Sequence, residues 1–167
     1  MKRLIFIGGT MGIGKTTVSQ VLKKEMSQSV FLDGDWCWDM SPFIVNEETK
    51  AMVMDNICYL LNNYLQCSQY ENVIFCWVMH EQAIIDEILS RLDLSFCHVY
   101  VFSLICSKEK LEANIQKDIC QGKRQKDVLK RSLERLSCYE FLNTIHIDTT
   151  FLTVNETVSQ IKEMIMK

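Results

Sequence analysis

Apolar residues along this chain come in short blocks separated by longer stretches of helical periodicity. Arg3 to Ile7 is an apolar run that stops at Gly8 and Gly9, as a buried parallel strand does. The next stretch, "KTTVSQVLKKEM", repeats Val18, Val21, Leu22 and Met26 at helical spacing. The alternation recurs. "SVFLDGD" reads as a strand ending at Gly34, and Glu47 to Gln69 carries Met54, Ile57, Leu60, Leu61 and Leu65 on one helical face. A third strand "NVIFCWV", a third helix "EQAIIDEILSRL" and a fourth strand "CHVYVFSLI" follow. Two basic helical patterns fill Ser107 to about Asn143, then a strand "TIHID" and a helix from about Val154 to Met166 close the chain. This alternation predicts an α/β fold: a five-stranded parallel sheet with helices on both faces and ligands at the carboxyl ends of the strands. No repeat, low-complexity segment or linker interrupts it, so residues 1–167 read as one domain.

Composition adds limits rather than an identity. With 48% of residues apolar, the chain can bury one ordinary core. A formal charge of −3 argues against a protein that coats nucleic acid, while leaving room for a locally basic groove. The eight cysteines contain no Cys-x-x-Cys pair and several sit within apolar runs, so they are expected to be reduced and the protein cytoplasmic. Met1 to Gly14 lacks the form of a signal peptide, and the longest apolar run, "VIFCWVM", falls far short of the ~20 residues a spanning helix needs. His98 and His146 lie inside strand patterns, and no cluster of histidines and cysteines has the spacing of a zinc site.

The sharpest signal is "GGTMGIGKTT", which holds Gly9-x-x-x-x-Gly14-Lys15-Thr16 between a strand and a helix. Glycines let the loop (Gly9, Thr10, Met11, Gly12, Ile13, Gly14) turn backbone N–H groups toward a β-phosphate. The helix starting near Lys15 aims its positive end there; Lys15 bridges β- and γ-phosphates, Thr16 is placed to ligand magnesium, and Thr17 completes the loop's nucleotide contacts. These residues predict a nucleoside triphosphate, ATP with Mg²⁺, as cofactor.

Nearly the whole chain resembles the small P-loop kinases, a group that includes shikimate, gluconate and adenylylsulfate kinases, chloramphenicol phosphotransferase and the tunicamycin-resistance protein. The resemblance rests on the phosphate loop, on "LDGD" at the end of strand two, on a basic lid over about residues 107–135, and on "IDTT" after strand five. It implies a three-layer P-loop NTPase fold with a helical lid. It also implies that Asp35, with Asp33 nearby, faces the γ-phosphate, that Arg124 is a lid arginine, and that Thr149 and Thr150 pass the adenine. Where the family has an earlier lid arginine, this chain has Asn114.

Phosphoryl transfer asks a protein mainly for positioning and charge neutralisation. Asp35 is the candidate for receiving the hydroxyl proton. In extended backbone Asp33 and Asp35 point the same way, so Asp33 can serve the magnesium while Asp35 orients the acceptor; alternatively Asp33 caps the turn. The window Lys108 to Arg135 holds nine of the chain's eighteen basic residues against five acids, which marks a place for something negative. Arg131, with Arg135 four residues on, is a candidate phosphate clamp, unless Asp127 pairs with Arg131 and Lys130 with Glu134 on a solvated face.

The acceptor side has the opposite composition. Between Gly34 and Ser90 there is no arginine, one lysine (Lys50) and nine acids. An anionic acceptor normally needs arginine forks, each charge-assisted bond contributing roughly 1.5–3 kcal/mol. Trp36, Trp38, Phe43 and Trp77 offer apolar or cation-binding faces instead, or simply close the core, and His80 after strand three is placed for an acceptor contact or a helix cap. The reading is a kinase acting on a hydroxyl of a small neutral or cationic acceptor such as an antibiotic. A nucleoside or nucleotide kinase, a non-catalytic ATP-binding protein and, least favoured, a nucleic-acid-dependent ATPase remain alternatives; neither nucleic acid nor membrane is expected as a partner.

Overall fold

The computed structural model describes residues 1–123 and 127–166. Five strands, β1 (Lys2–Gly8), β2 (Ser29–Asp33), β3 (Asn72–Cys76), β4 (Cys97–Ile105) and β5 (Ile145–Asp148), form one sheet in the order β2-β3-β1-β4-β5, and every pairing is parallel. The helices are α1 (Lys15–Glu25), α2 (Glu47–Gln66), α3 (Gln82–Ser90), α4 (Lys108–Cys120), α5 (Val128–Leu136) and α6 (Val154–Ile165). Two short 3₁₀ turns, Gly34–Trp38 and Ser137–Phe141, complete the set.

The period of two in β1 decides which helices lie where. Ile5 and Ile7 point to one face, into a core with Val18 and Leu22 of α1, Leu111 and Ile115 of α4, and Val158 and Ile161 of α6. Leu4 and Phe6 point to the other, into a core with Val53, Ile57 and Leu61 of α2 and Ile85 and Ile88 of α3. All four β1 side chains are fully buried, each contributing on the order of 1.5–3 kcal/mol. The result is the expected α/β arrangement of three layers, with β1 at the centre and its carboxyl end, Gly8, opening into the glycine loop. No helix among the described residues is long and apolar enough to cross a membrane.

Several boundaries differ from the sequence pattern. Helix α2 stops at Gln66 rather than Gln69, because Cys67 turns to extended backbone. Strand two ends at Asp33, and Gly34 to Trp38 winds into a 3₁₀ turn started by a hydrogen bond from the Asp35 N–H to Asp33 Oδ1 (3.0 Å). Strand three ends at Cys76, so Trp77 and Val78 follow the sheet instead of belonging to it. The basic stretch up to Asn143 divides into α4, α5 and the second 3₁₀ turn, whose Tyr139 is fully buried.

Candidate functional site

The glycine loop owes its path to two positions. Gly14 has φ +107° and caps α1 in left-handed backbone, and Gly12, with φ +82°, lies so close to α4 that a Cβ there would stand 2.4 Å from Ile115 Cγ1. Any larger residue at Gly12 would push the loop off α4. Helix α1 therefore begins directly behind the loop, with no acid in its first turn to compete for an anion.

Lys15 is buried, and its Nζ donates to the Thr10 carbonyl at 3.1 Å. Thr16 Oγ1 donates to Asp33 Oδ2 at 2.7 Å. One Asp33 oxygen caps the turn through the Asp35 N–H, the second of the two readings for this residue, and the other accepts from the Thr16 hydroxyl. Asp35 lies in the 3₁₀ turn and is exposed, so the premise of two carboxylates alternating on extended backbone fails although both still face one cleft. Cys76, 3.9 Å from Thr16 Oγ1, is pushed up to about 12 by burial and by the charge of Asp33, so it remains a thiol.

A cleft of about 590 Å³ lies over the loop. Met11, Gly12, Ile13, Gly14, Lys15, Thr16 and Thr17 form its floor; Lys110, Asn114, Lys117 and Asp118, one face of α4, form a wall; Thr149 and Thr153 close the far side. Asn114 is thus flanked by a lysine one turn before and another one turn after it. These two lysines were not singled out in the sequence, although their seven-residue spacing places them on one helical stripe. Thr150 is not among the lining residues. Its hydroxyl donates to Asp148 Oδ1 and accepts from the Ser107 N–H, fixing the start of α4. Gly9 and Thr10 support the loop from beneath; Thr10 is fully buried, and its hydroxyl donates to the carbonyl of Ser132 in α5 at 2.9 Å.

A second cleft of about 1030 Å³ adjoins the first. Asp33, Asp35, Trp36, Trp38, Phe43, Trp77 and His80, drawn from three separate stretches of sequence, all line it. Gly34 is needed beneath Trp77, since a Cβ there would stand 2.5 Å from the indole Cγ. Trp36 packs edge-on to Phe31 with ring centroids 5.3 Å apart, and Trp38 tilts against Phe43 at 5.9 Å. His80 is held below the ordinary histidine value, chiefly by burial and then by the charge of Arg135, and its Nε2 lies 3.3 Å from Glu81 Oε1. Met11 and Asp35 line both clefts, so the carboxylate of Asp35 stands at their junction.

The arginines of α5 separate. Arg131 Nη2 pairs with Asp127 Oδ2 at 3.0 Å on the outer face of α5 and lines neither cleft, as does Lys130 with Glu134 at 3.8 Å. Arg135, one turn on, lines the second cleft instead. Arg124 lies outside the described residues.

A comparison with curated proteins finds no match. Among solved structures, the chain is similar to a tunicamycin resistance protein from Deinococcus radiodurans (19% identity, TM-score 0.67, covering 99% of this chain and 96% of that one). It is also similar to a sugar kinase from Janibacter (13%, 0.73, 99% and 95%) and a gluconokinase from Sinorhizobium meliloti (15%, 0.67, 97% and 94%). At these identities the likeness establishes a shared fold, that of P-loop kinases. A family model described as AAA domain matches residues 5–136, well over half the chain, and takes in the glycine loop and α4 and reaches the last residue of α5; the protein therefore belongs to this family of P-loop proteins.

Proposed function

We propose that the protein is an ATP- and magnesium-dependent phosphotransferase that moves the γ-phosphoryl group to a hydroxyl of a small neutral or cationic acceptor, antibiotics being one such class. The observation that carries this reading is the place of Asp35, between a lysine-walled cleft over the glycine loop and a second cleft walled by aromatic rings and carboxylates. A triphosphate in the first cleft and an alcohol in the second would meet at that carboxylate. In the step, the acceptor oxygen forms a bond to the γ-phosphorus as the bond to the bridging oxygen of ADP breaks, and Asp35 takes the hydroxyl proton.

The residues at the loop suit the cofactor. A hydroxyl and a carboxylate oxygen held together, Thr16 and Asp33, are hard oxygen ligands of the kind magnesium prefers, and these two would hold it. Magnesium supplies neutralisation of charge on the β- and γ-oxygens when bound. Lys15 leaves the Thr10 carbonyl to bind phosphate oxygens, with Lys110 and Lys117 along the wall. Thr149, which lines the same cleft, is the residue we assign to the base. On the acceptor side, Arg135 lines the cleft and is the cation we assign to the transferring group in place of Arg131, with Arg124 keeping its proposed share. Its ten apolar wall residues and five carboxylates suit an acceptor without negative charge better than a nucleotide. The eight unpaired cysteines support a reducing, cytoplasmic setting.

The test is ADP formation by purified protein with MgATP over a panel of nucleosides, sugars, amines and hydroxyl antibiotics. Turnover that needs one acceptor and disappears in both Lys15→Ala and Asp35→Asn supports the proposal. ATP binding without acceptor-dependent turnover across the panel would reject it in favour of a nucleotide-binding module.

A further inference from the structure

The walls of the second cleft narrow the acceptor further, an inference that rests on the phosphotransferase reading. Most of the wall is apolar: the three tryptophans with Phe43, Met54 and Ile84. Trp36 packs on the buried Phe31, Trp38 and Phe43 pack on each other, and Trp77 lies over Gly34, so each ring has a support behind it. Trp36 and Phe43 remain 55% and 67% exposed although they line a concave surface, and Val45 beside them is 54% exposed. Large apolar side chains left uncovered around one cleft mark a surface that a ligand covers.

The polar groups in the same wall are mostly engaged with the protein itself. Asp33 holds Thr16 and the Asp35 N–H. Glu47 pairs with Lys50 at 2.9 Å, Glu87 with Arg91 at 3.6 Å, and His80 with Glu81. A polyhydroxylated acceptor needs a partner for each hydroxyl it buries, because every polar group left unpaired opposes binding. An aromatic wall with most of its polar groups already engaged provides too few of them.

We infer that the acceptor presents an extended apolar face and a reactive hydroxyl, and is not a sugar or sugar acid. The apolar face lies across Trp36, Trp38, Phe43 and Trp77, and the hydroxyl points to Asp35 at the junction with the phosphate cleft. Sharing a fold with a sugar kinase and a gluconokinase transmits no sugar site, since the acceptor wall is made by side chains that the fold leaves free to vary.

The experiment is calorimetric titration of the full chain with 2-(2-naphthyl)ethanol and 4-phenylbutanol beside glucose and gluconate, in wild type and in Trp36→Ala/Phe43→Ala. The apolar alcohols are expected to bind about tenfold or more tightly than either sugar compound, and the double substitution to weaken them by about tenfold. ATP affinity, read with a fluorescent analogue, is expected to stay within about twofold, because the nucleotide uses the other cleft. Circular dichroism melting checks the fold of the variant, and Phe43→Ala alone replaces it if the double variant melts early. Equal or tighter binding of glucose or gluconate overturns the inference. So does absence of alcohol binding at millimolar concentration, or alcohol binding that both variants leave unchanged. Alcohol binding as expected with no ADP formed from any acceptor would instead overturn the phosphotransferase reading, while turnover on gluconate would keep that reading and reject this inference.

Discussion

The two clefts share Met11 and Asp35 yet are built on opposite principles. The phosphate cleft is made of backbone and lysine: a glycine loop, the start of α1, and a stripe of α4. Such a surface suits any triphosphate, because it recognises charge and the shape of a phosphate chain. The second cleft, the one proposed for the acceptor, is made largely of side chains from the turn after β2, the start of α2, the stretch after β3 and the last turn of α5. Its chemistry is set residue by residue. The contrast teaches that the floor of the first cleft comes from one contiguous segment, the glycine loop with the start of α1, whereas the wall of the second is dispersed over residues that meet only after folding.

Substitutions can break that contrast. The largest expected effect is at Lys15: Lys15→Ala should lower acceptor-dependent ADP formation by about 10³-fold, since it removes a charge aimed at the transferring group. Calorimetry should meanwhile show acceptor affinity nearly unchanged. Asp35→Asn, at the junction, should lower kcat by about 10²–10⁴-fold while both ligands still bind. An equal loss of affinity for either ligand would move Asp35 from proton transfer to binding.

Smaller effects sharpen the comparison. Thr10→Val removes the hydroxyl that joins the loop to the Ser132 carbonyl, a fully buried link. It should cost about 1–1.5 kcal/mol and lower Tm by about 2–6 °C, whereas Thr10→Ser should restore most of it. The smallest effect is expected at His80. Its folded-state proton affinity is depressed by burial and Arg135, so the unfolded chain binds the proton more readily. Stability attributable to His80 is therefore present above about pH 6.5 and declines as pH falls below it. Melting curves measured downward through that range should show a shallower decline for His80→Gln than for wild type.

Legibility in the sequence followed the same division. The glycine motif, its flanking strand and helix, and the order of strands and helices are local patterns, and the structure has them where the spacing puts them. The seven residues expected on the acceptor side were legible as types, and all seven line one cleft, because the carboxyl ends of parallel strands bring such turns together. Helix rotation was not legible. A run of basic residues gives the period of α5 but not its facing, which is set by Tyr139 and Leu136 burying themselves and by Thr10 holding Ser132. That orientation turns Arg135 into the cleft and leaves Arg131 with Asp127 on the outside. Strand two was read as ending at Gly34, with Asp35 still on extended backbone; the Asp33 cap and the close approach of Trp77 to Gly34 wind Gly34–Trp38 into a 3₁₀ turn instead.

The link between Thr10 and Ser132 spans 122 residues, and Gly12 rests on Ile115. The glycine motif thus precedes in the chain the groups that hold it in place. A nascent chain that has emerged only through α3 carries every residue of the glycine motif, but lacks the strand that flanks β1 on one side, the helix that supports the loop and the carbonyl that holds it. The settled shape of the loop would accordingly come late in synthesis, after α5 docks.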